Sequence, residues 1–174
     1  MAQHRDSARG ALLDAFQELL VETGGTSATL DEVAKRAGVT KGGLLYHFAS
    51  RKVLEGALLD RLEELLVAEY DRMRSAPHGA AAYYVSLAEY INSPLDRATL
   101  AVGHLVTRNE RAQSLVRTMR RQYFQLLFND LHDAALARAT MLIADGLYWD
   151  AVTVGEQFED ELDVVAFLDR MRTA

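Results

Sequence analysis

Three helix-start signals follow one another at short intervals near the beginning of the chain, and they constrain the fold more than any other feature. Thr29, Thr40 and Ser50 each precede a helical pattern, so the first two helices have room for only about two turns each. Thr29 and Glu32 have the spacing of a capping box, in which each side chain bonds the other residue's backbone amide. Gly38 ends the first short helix. Two short helices joined by so tight a turn predict a helix-turn-helix.

Apolar residues at helical spacing extend this pattern over the rest of the chain. One stripe predicts a helix from about residue 5 to residue 23, and a second predicts a long helix over 51–75 that joins the N-terminal part to the rest. Further helices are predicted near residues 79–92, 95–106, 108–131, 134–155 and 159–172. The chain has only two prolines and no strongly β-branched runs. The predicted fold is all-α, with about nine helices: a three-helix head containing the helix-turn-helix, followed by a helical body.

Charge is distributed unevenly along the chain, which has a net charge of −6. Residues 1–52 hold seven Lys and Arg against six Asp and Glu, a balance of +1, whereas residues 53–174 hold twelve against nineteen, a balance of −7. An acidic body with a relatively basic head keeps the body away from nucleic acid while the head approaches it.

Composition also limits the chemistry that the chain can perform. It has no cysteine, which excludes disulfides, thiolate metal sites and a thiol nucleophile. No apolar run reaches the length of a membrane span, and the polar first ten residues do not resemble a signal peptide. We expect a cytoplasmic protein that has no membrane partner, metal or cofactor.

An enzyme is an alternative class, because His104, Asp130, His132 and Asp133 could form a site. However, the sequence has no metal-binding His/Glu motif, no glycine-rich phosphate loop and no serine in a nucleophile elbow. His132 and Asp133 lie at a predicted helix end, where solvation explains them. We therefore predict no enzymatic activity.

The segment from Thr29 to Leu54, TLDEVAKRAGVTKGGLLYHFASRKVL, resembles the DNA-binding head of the TetR family of bacterial repressors. The resemblance rests on the Thr-capped first helix, Ala-Gly-Val at the turn, Lys-Gly at the start of the second helix and Tyr-His-Phe at its end. Beyond Leu66 only the size and the helical layout are similar. The resemblance implies a DNA-binding domain over residues 1–52 and an effector-binding and dimerisation domain over 53–174.

Specific DNA contacts follow from the resemblance. The major-groove face comprises Thr40, Lys41, Gly42, Gly43, Leu45 and Tyr46, and the phosphate contacts comprise Thr29, His47 and Arg51, with Lys52 beside them. A cation in the first turn of a helix, as at Arg51, is unfavourable unless an anion binds there. Lys41 can reach guanine or a phosphate, and the sequence does not distinguish the two. His47 could instead be a core residue, and the lysines and Arg51 could be solvated surface charges.

The two glycines at the start of the second helix require a physical reason. Each costs about 1 kcal/mol relative to alanine inside a helix. Close approach of the backbone to a DNA duplex would explain Gly42 and Gly43. A frayed loop at this point is the alternative.

The body is predicted to contain a dimer face and a pocket. Helix-turn-helix proteins generally bind as dimers, and the last two helices carry a possible dimer face at Leu136, Ala139, Thr140, Ile143, Leu147, Leu162, Val165 and Leu168. Aromatic residues and methionines with a few polar neighbours suggest a pocket for a small apolar or aromatic effector, lined by Tyr83, Tyr84, Leu87, Tyr90, His104, Met119, Tyr123, Phe124, Phe128, Asp145, Tyr148 and Trp149. An ordinary monomer core is the alternative for either set.

Together these features predict a ligand-responsive homodimeric repressor that binds double-stranded DNA at a palindromic operator. The effector would shift the long helix over 51–75 and so change the separation of the two recognition helices. A helical adaptor or ligand-binding protein without specific DNA binding is the alternative.

Overall fold

The computed structural model describes residues 2–25, 28–88 and 92–153 together with Ala166 and Arg170. Eight helices lie in this part of the chain: α1 Ala2–Thr23, α2 Leu30–Arg36, α3 Lys41–His47, α4 Arg51–Arg74, α5 Gly79–Ser86, α6 Pro94–Gly103, α7 Glu110–Leu131 and α8 Ala134–Thr153. The all-α prediction is confirmed. The helix predicted near residues 159–172 lies outside the described residues, apart from the two helical positions Ala166 and Arg170. None of the described helices is long and apolar enough to cross a membrane.

A side-chain hydroxyl caps each of the three predicted helix starts. The bonds join Glu32 N to Thr29 Oγ1 at 3.2 Å, Gly43 N to Thr40 Oγ1 at 3.1 Å, and Val53 N to Ser50 Oγ at 3.3 Å. One detail differs from the prediction, since within the described residues the Glu32 carboxylate does not bond back to Thr29. A complete capping box forms instead at the start of α6, between Ser93 and Asp96. Local sequence signals therefore determine the helix starts of the head.

The turn between α2 and α3 is a Schellman motif centred on Gly38, which has a φ of 69°. The Gly38 amide donates to Lys35 O at 3.2 Å, and the Val39 amide donates to Ala34 O at 3.0 Å. These two bonds satisfy carbonyl groups that would otherwise be left without partners at the end of α2. The left-handed glycine thus fixes the angle between the two helices of the helix-turn-helix.

Gly38→Ala is expected to destabilise the fold by about 1–2 kcal/mol, because a Cβ disfavours the left-handed conformation. A Cβ at this position has open space around it, so steric clash does not contribute. Chemical denaturation followed by circular dichroism measures the loss. Gly38→Asn is the control and should cost less, because asparagine tolerates this conformation. Equal stability of the alanine variant and the unsubstituted protein would contradict the prediction.

The described helices group into two compact units. The first comprises Met1–Leu65 and Asn92–Val116, in which α1 packs on α2 and α6, and α2 packs on α3. Its fully buried side chains include Leu12, Phe16, Leu20, Leu44, Phe48, Leu54 and Leu58. The second unit comprises Leu66–Ile91 and Arg117–Ala174, in which α5 packs on α8. Its buried residues include Met73, Leu127 and Met141. The functional division at residue 52 stays a prediction.

Candidate DNA-binding site and aromatic cluster

Helix α3 presents an exposed face that combines apolar, aromatic and cationic side chains. Leu44 and Phe48 are fully buried and anchor the helix and its C-cap in the core of the first unit. On the exposed side, Leu45 and Tyr46 retain 41% and 67% of their accessible surface, and the Lys41 side chain retains 58%. A lysine can donate to base acceptors, and an apolar side chain can contact a thymine methyl, so this face suits the major groove.

Gly42 and Gly43 lie within the helical span of α3, so they do not form a frayed loop. A Cβ added to Gly42 would meet only Thr40 Oγ1, at 3.9 Å, and one added to Gly43 would meet the same atom at 3.4 Å. Both distances allow ordinary van der Waals contact. Packing within the chain therefore does not require these glycines, and close approach of a DNA duplex stays the prediction for them.

Arg51 connects the start of α4 to the segment that precedes α2. Its Nη1 donates to the carbonyl oxygen of Ala28, its Nε donates to Glu55 Oε1 at 2.9 Å, and its guanidinium lies 5.7 Å from the ring centroid of Phe16. The side chain is one-third exposed. Arg51 thus holds α4 against the head, a role that the sequence did not predict, and its phosphate contact stays a prediction.

The remaining predicted DNA contacts lie at helix ends of the same unit. The hydroxyls of Thr29 and Thr40 accept their cap bonds, which leaves each O–H group able to donate to a phosphate oxygen. His47 ends α3 and packs edge-on against Tyr46, with ring centroids 5.2 Å apart. Lys52 is exposed in the first turn of α4. Their contacts with DNA stay predictions.

Three tyrosines form an aromatic cluster in the second unit. The ring centroid of Tyr123 lies 5.2 Å from that of Tyr70 and 5.0 Å from that of Tyr84. Burial raises the pKa of Tyr70 to about 12, and it also raises the pKa of Tyr84 and of Tyr123. All three hydroxyls therefore stay protonated at neutral pH and can act as hydrogen-bond donors.

Two carboxylates lie beside this cluster and accept hydrogen bonds from tyrosine hydroxyls. Tyr84 donates to Asp145 Oδ1 at 3.1 Å, and Arg120 pairs with Asp145 Oδ2 at 2.6 Å. Tyr83 donates to Glu69 Oε1 at 2.8 Å. Sequence reasoning found both α5 tyrosines and Asp145 but missed Glu69, Tyr70 and Arg120. Arg120 could have been found from the sequence, because it lies three residues before Tyr123 and therefore on the same face of α7.

The other predicted pocket residues have varied surroundings. Phe124 stacks on Phe128 with centroids 6.3 Å apart, and Trp149 is 62% exposed. Leu87, Met119 and Tyr148 are half-buried. His104 belongs to the first unit, where its Nδ1 lies 4.0 Å from the position of a Cβ on Gly24. Tyr90 lies outside the described residues. The pocket as a whole stays a prediction.

The predicted dimer face is partly buried within the chain itself. Leu136 and Thr140 are buried, and the Thr140 hydroxyl donates to the Leu136 carbonyl at 2.9 Å. Ala139, Ile143 and Leu147 are half-buried, whereas Leu162, Val165 and Leu168 lie outside the described residues. The exposed large apolar residues of α8 are Leu142, at 56%, and Trp149. The role of this face stays a prediction.

The carboxylates considered for an enzyme site cap helices. Asp130 accepts the Ala81 amide at 2.9 Å, and Asp133 accepts the amides of Ala135 and Leu136 at 2.7 and 2.9 Å. Within the described part of the chain, no three His, Asp or Glu side chains come together in a way that could hold a metal ion.

Sequence comparison relates the N-terminal part of the chain to known regulators. A family model described as bacterial regulatory proteins, tetR family, matches residues 12–58. FasR of Mycolicibacterium smegmatis, an HTH-type transcriptional activator, is 45% identical over 64 residues, which cover 37% of this chain and 29% of FasR. BetI of Escherichia coli, an HTH-type transcriptional regulator, is 34% identical over 74 residues, which cover 42% of this chain and 38% of BetI. The chain thus spans less than half the length of these relatives, which are transcription regulators and not enzymes.

Solved structures share the fold over nearly the whole chain. NalD, the secondary repressor of the MexAB-OprM multidrug efflux pump in Pseudomonas aeruginosa, aligns with a TM-score of 0.66 at 22% identity, over 97% of this chain and 95% of NalD. EbrR, a multidrug binding protein in complex with imidazole, aligns with a TM-score of 0.60 at 19% identity, over 94% of this chain and 93% of EbrR. At these identities the likeness establishes the fold alone.

Proposed function

We propose that this chain, whose N-terminal residues 12–58 belong to the tetR family of bacterial regulatory proteins, is a homodimeric repressor that binds a palindromic operator and is released by a small apolar or aromatic effector. The observation that carries the proposal is the exposed face of α3, where Lys41, Leu45 and Tyr46 stand beside two helical glycines without a packing role. Such a face has donor, aromatic and apolar groups and allows close backbone approach. The proposal places the protein in the cytoplasm, with the DNA.

Release by an effector is supported by the aromatic cluster of the second unit. Tyrosine rings offer apolar faces and hydroxyl donors, and the Asp145–Arg120 pair beside Tyr84 adds polar groups of both charges. NalD and EbrR, which share the fold, are an efflux-pump repressor and a multidrug binding protein. An effector that reorders this cluster would act on Tyr70, which lies on α4. Since Arg51 begins the same helix, a shift of α4 would move the head.

Dimerisation is supported by the exposed side of α8. Leu142, Gly146 and Trp149 follow one another at intervals of four and three residues, so they lie on one helical face. All three are exposed, with half-buried Ala139 and Ile143 beside them. A small residue between two large apolar ones allows a helix of a second copy to pack closely. We assign this face, rather than Leu136 and Thr140, to the contact between protomers.

Leu142→Glu is expected to shift the protein from dimer to monomer, because it places a charge within the proposed apolar contact. Sedimentation velocity measures the change. Val67→Glu is the matched control, since Val67 is also an exposed apolar residue, at 62%, but lies on α4. The control should remain dimeric. Loss of the dimer in both variants, or in neither, would contradict the assignment of this face.

Selection of bound DNA from a random pool at near-physiological salt tests the proposed function. We expect a palindrome whose half-sites are separated by about one helical turn or a multiple of it, roughly 34–36 Å per turn. Release of that DNA by a compound that also quenches tyrosine or tryptophan fluorescence would support the effector. A folded dimer that enriches no sequence would contradict the proposal and favour the helical adaptor.

A further inference from the structure

Asp31 and Lys41 form an ion pair on the exposed side of the helix-turn-helix. The Lys41 Nζ lies 3.0 Å from Asp31 Oδ1 and 3.0 Å from Asp31 Oδ2. Both side chains remain exposed, at 67% for Asp31 and 58% for Lys41. Lys41 opens α3 and lies four residues before Leu45, so it shares the exposed face that we propose for DNA. Asp31 therefore lies on the same exposed surface as Lys41.

A carboxylate at a DNA surface is unfavourable unless it finds a hydrogen-bond donor. Phosphates repel Asp31, and the pair with Lys41 has no net charge with which to attract the backbone. The bases supply the missing donor, because cytosine exposes its N4 amine in the major groove, where Asp and Glu accept from it. The pair is therefore better suited to a base edge than to phosphates.

The ion pair can form more hydrogen bonds with a G·C pair than with an A·T pair. A G·C pair presents guanine N7 and O6 as acceptors, with the cytosine N4 donor next to O6. Hydrogen-bonded O6 and N4 lie about 2.9–3.0 Å apart, close to the spacing of the ion pair. An A·T pair places a donor beside N7 of the purine and a methyl group at the far side, so it offers the ammonium no two adjacent acceptors.

We propose that the Asp31–Lys41 ion pair reads one G·C base pair in each half-site, with Lys41 donating to guanine N7 and O6 and Asp31 accepting from cytosine N4. The inference rests on the proposed function, since it requires α3 to lie in the major groove. It makes Asp31 a specificity-determining residue, and it assigns Lys41 to a base rather than to a phosphate.

The test compares selections from the same random DNA pool with the unsubstituted protein, Asp31→Ala and Glu32→Ala. The unsubstituted protein should prefer G·C at one half-site position by about 5- to 150-fold, the range for one good base contact. Asp31→Ala should lose part of that preference, because only the Lys41 contact with guanine remains, and it should bind DNA in general more tightly because a repelling carboxylate is removed. Glu32→Ala removes a neighbouring exposed carboxylate with no ion pair among the described residues, and it should leave the preference unchanged. Circular dichroism verifies that each variant is folded.

A base analogue isolates the Asp31 contact. Replacing cytosine at that position by 2-pyrimidinone, which lacks the N4 amine, should weaken binding of the unsubstituted protein but not of Asp31→Ala. An unchanged G·C preference in Asp31→Ala, or equal weakening of both proteins by the analogue, would overturn the inference and leave the proposed function intact. Failure of the unsubstituted protein to enrich any sequence would overturn both.

Discussion

Phe16→Ala should lower the free energy of unfolding by about 3–5 kcal/mol, the range for truncating a buried phenylalanine. Phe16 is fully buried in the first unit, so the substitution removes apolar contacts and leaves a cavity. It also removes the ring that lies 5.7 Å from the Arg51 guanidinium. Equilibrium denaturation in guanidinium chloride, followed by circular dichroism, measures the loss.

Two control variants separate the effect of burial from the effect of losing the phenyl ring. Phe128→Ala removes the same side chain from α7, where it is 37% exposed, and should cost much less. Phe16→Leu retains most of the apolar volume and should cost about 1–1.5 kcal/mol. A loss below about 1 kcal/mol for Phe16→Ala would mean that the core collapses into the vacated space, and it would contradict close packing around Phe16.

Helix starts were predictable because the signals for them are local. Thr29, Thr40 and Ser50 each bond an amide three residues ahead, so the sequence contains both partners of each bond. The C-terminal end of α5 was not predictable in the same way. The Leu87 amide bonds to the carbonyls of both Tyr83 and Tyr84, and the helix ends at Ser86 rather than near residue 92. No glycine or proline marks that end.

The surroundings of Arg51 illustrate what a single sequence does not contain. Its pair with Glu55 has helical spacing and could have been predicted. Its bond to the Ala28 carbonyl joins residues that are 23 positions apart, and no side chain identifies that acceptor. Glu55 Oε2 accepts in turn from Asn109 Nδ2 at 3.0 Å, which ties the start of α7 to α4. Contacts to distant backbone atoms depend on the tertiary fold.

The sequence predicted an aromatic cluster in the body but identified only some of the residues around it. Aromatic side chains in the middle helices are visible in the sequence, and Tyr84 and Tyr123 do lie together. Glu69 was missed because it lies on α4, which sequence reasoning treated as a connector. The burial of that carboxylate, whose side chain is only 3% exposed, depends on its bonds from Tyr83 and Arg72, and therefore on tertiary packing.

Gly42→Ala is expected to stabilise the protein and to weaken its binding to DNA. In the free protein the new Cβ would lie 3.9 Å from Thr40 Oγ1, an ordinary contact, and the higher helix propensity of alanine should add about 0.5–1 kcal/mol to the free energy of unfolding. On DNA the same methyl group would separate α3 from the groove. Overpacking of this kind costs about 1–3 kcal/mol, which corresponds to a loss of affinity of about 5- to 150-fold.

Thermal denaturation and fluorescence anisotropy with the selected operator measure the two opposite effects of Gly42→Ala. Gly10→Ala is the matched control, because Gly10 also lies in a helix, α1, with nothing within 4 Å of an added Cβ. It should raise stability by a similar amount and leave operator affinity unchanged. If Gly42→Ala and Gly10→Ala bound the operator equally well, close approach of α3 would not explain the glycine, and the DNA-facing surface would have to be sought elsewhere on the head. A separation between the two variants in affinity but not in stability would attribute Gly42 to function rather than to folding.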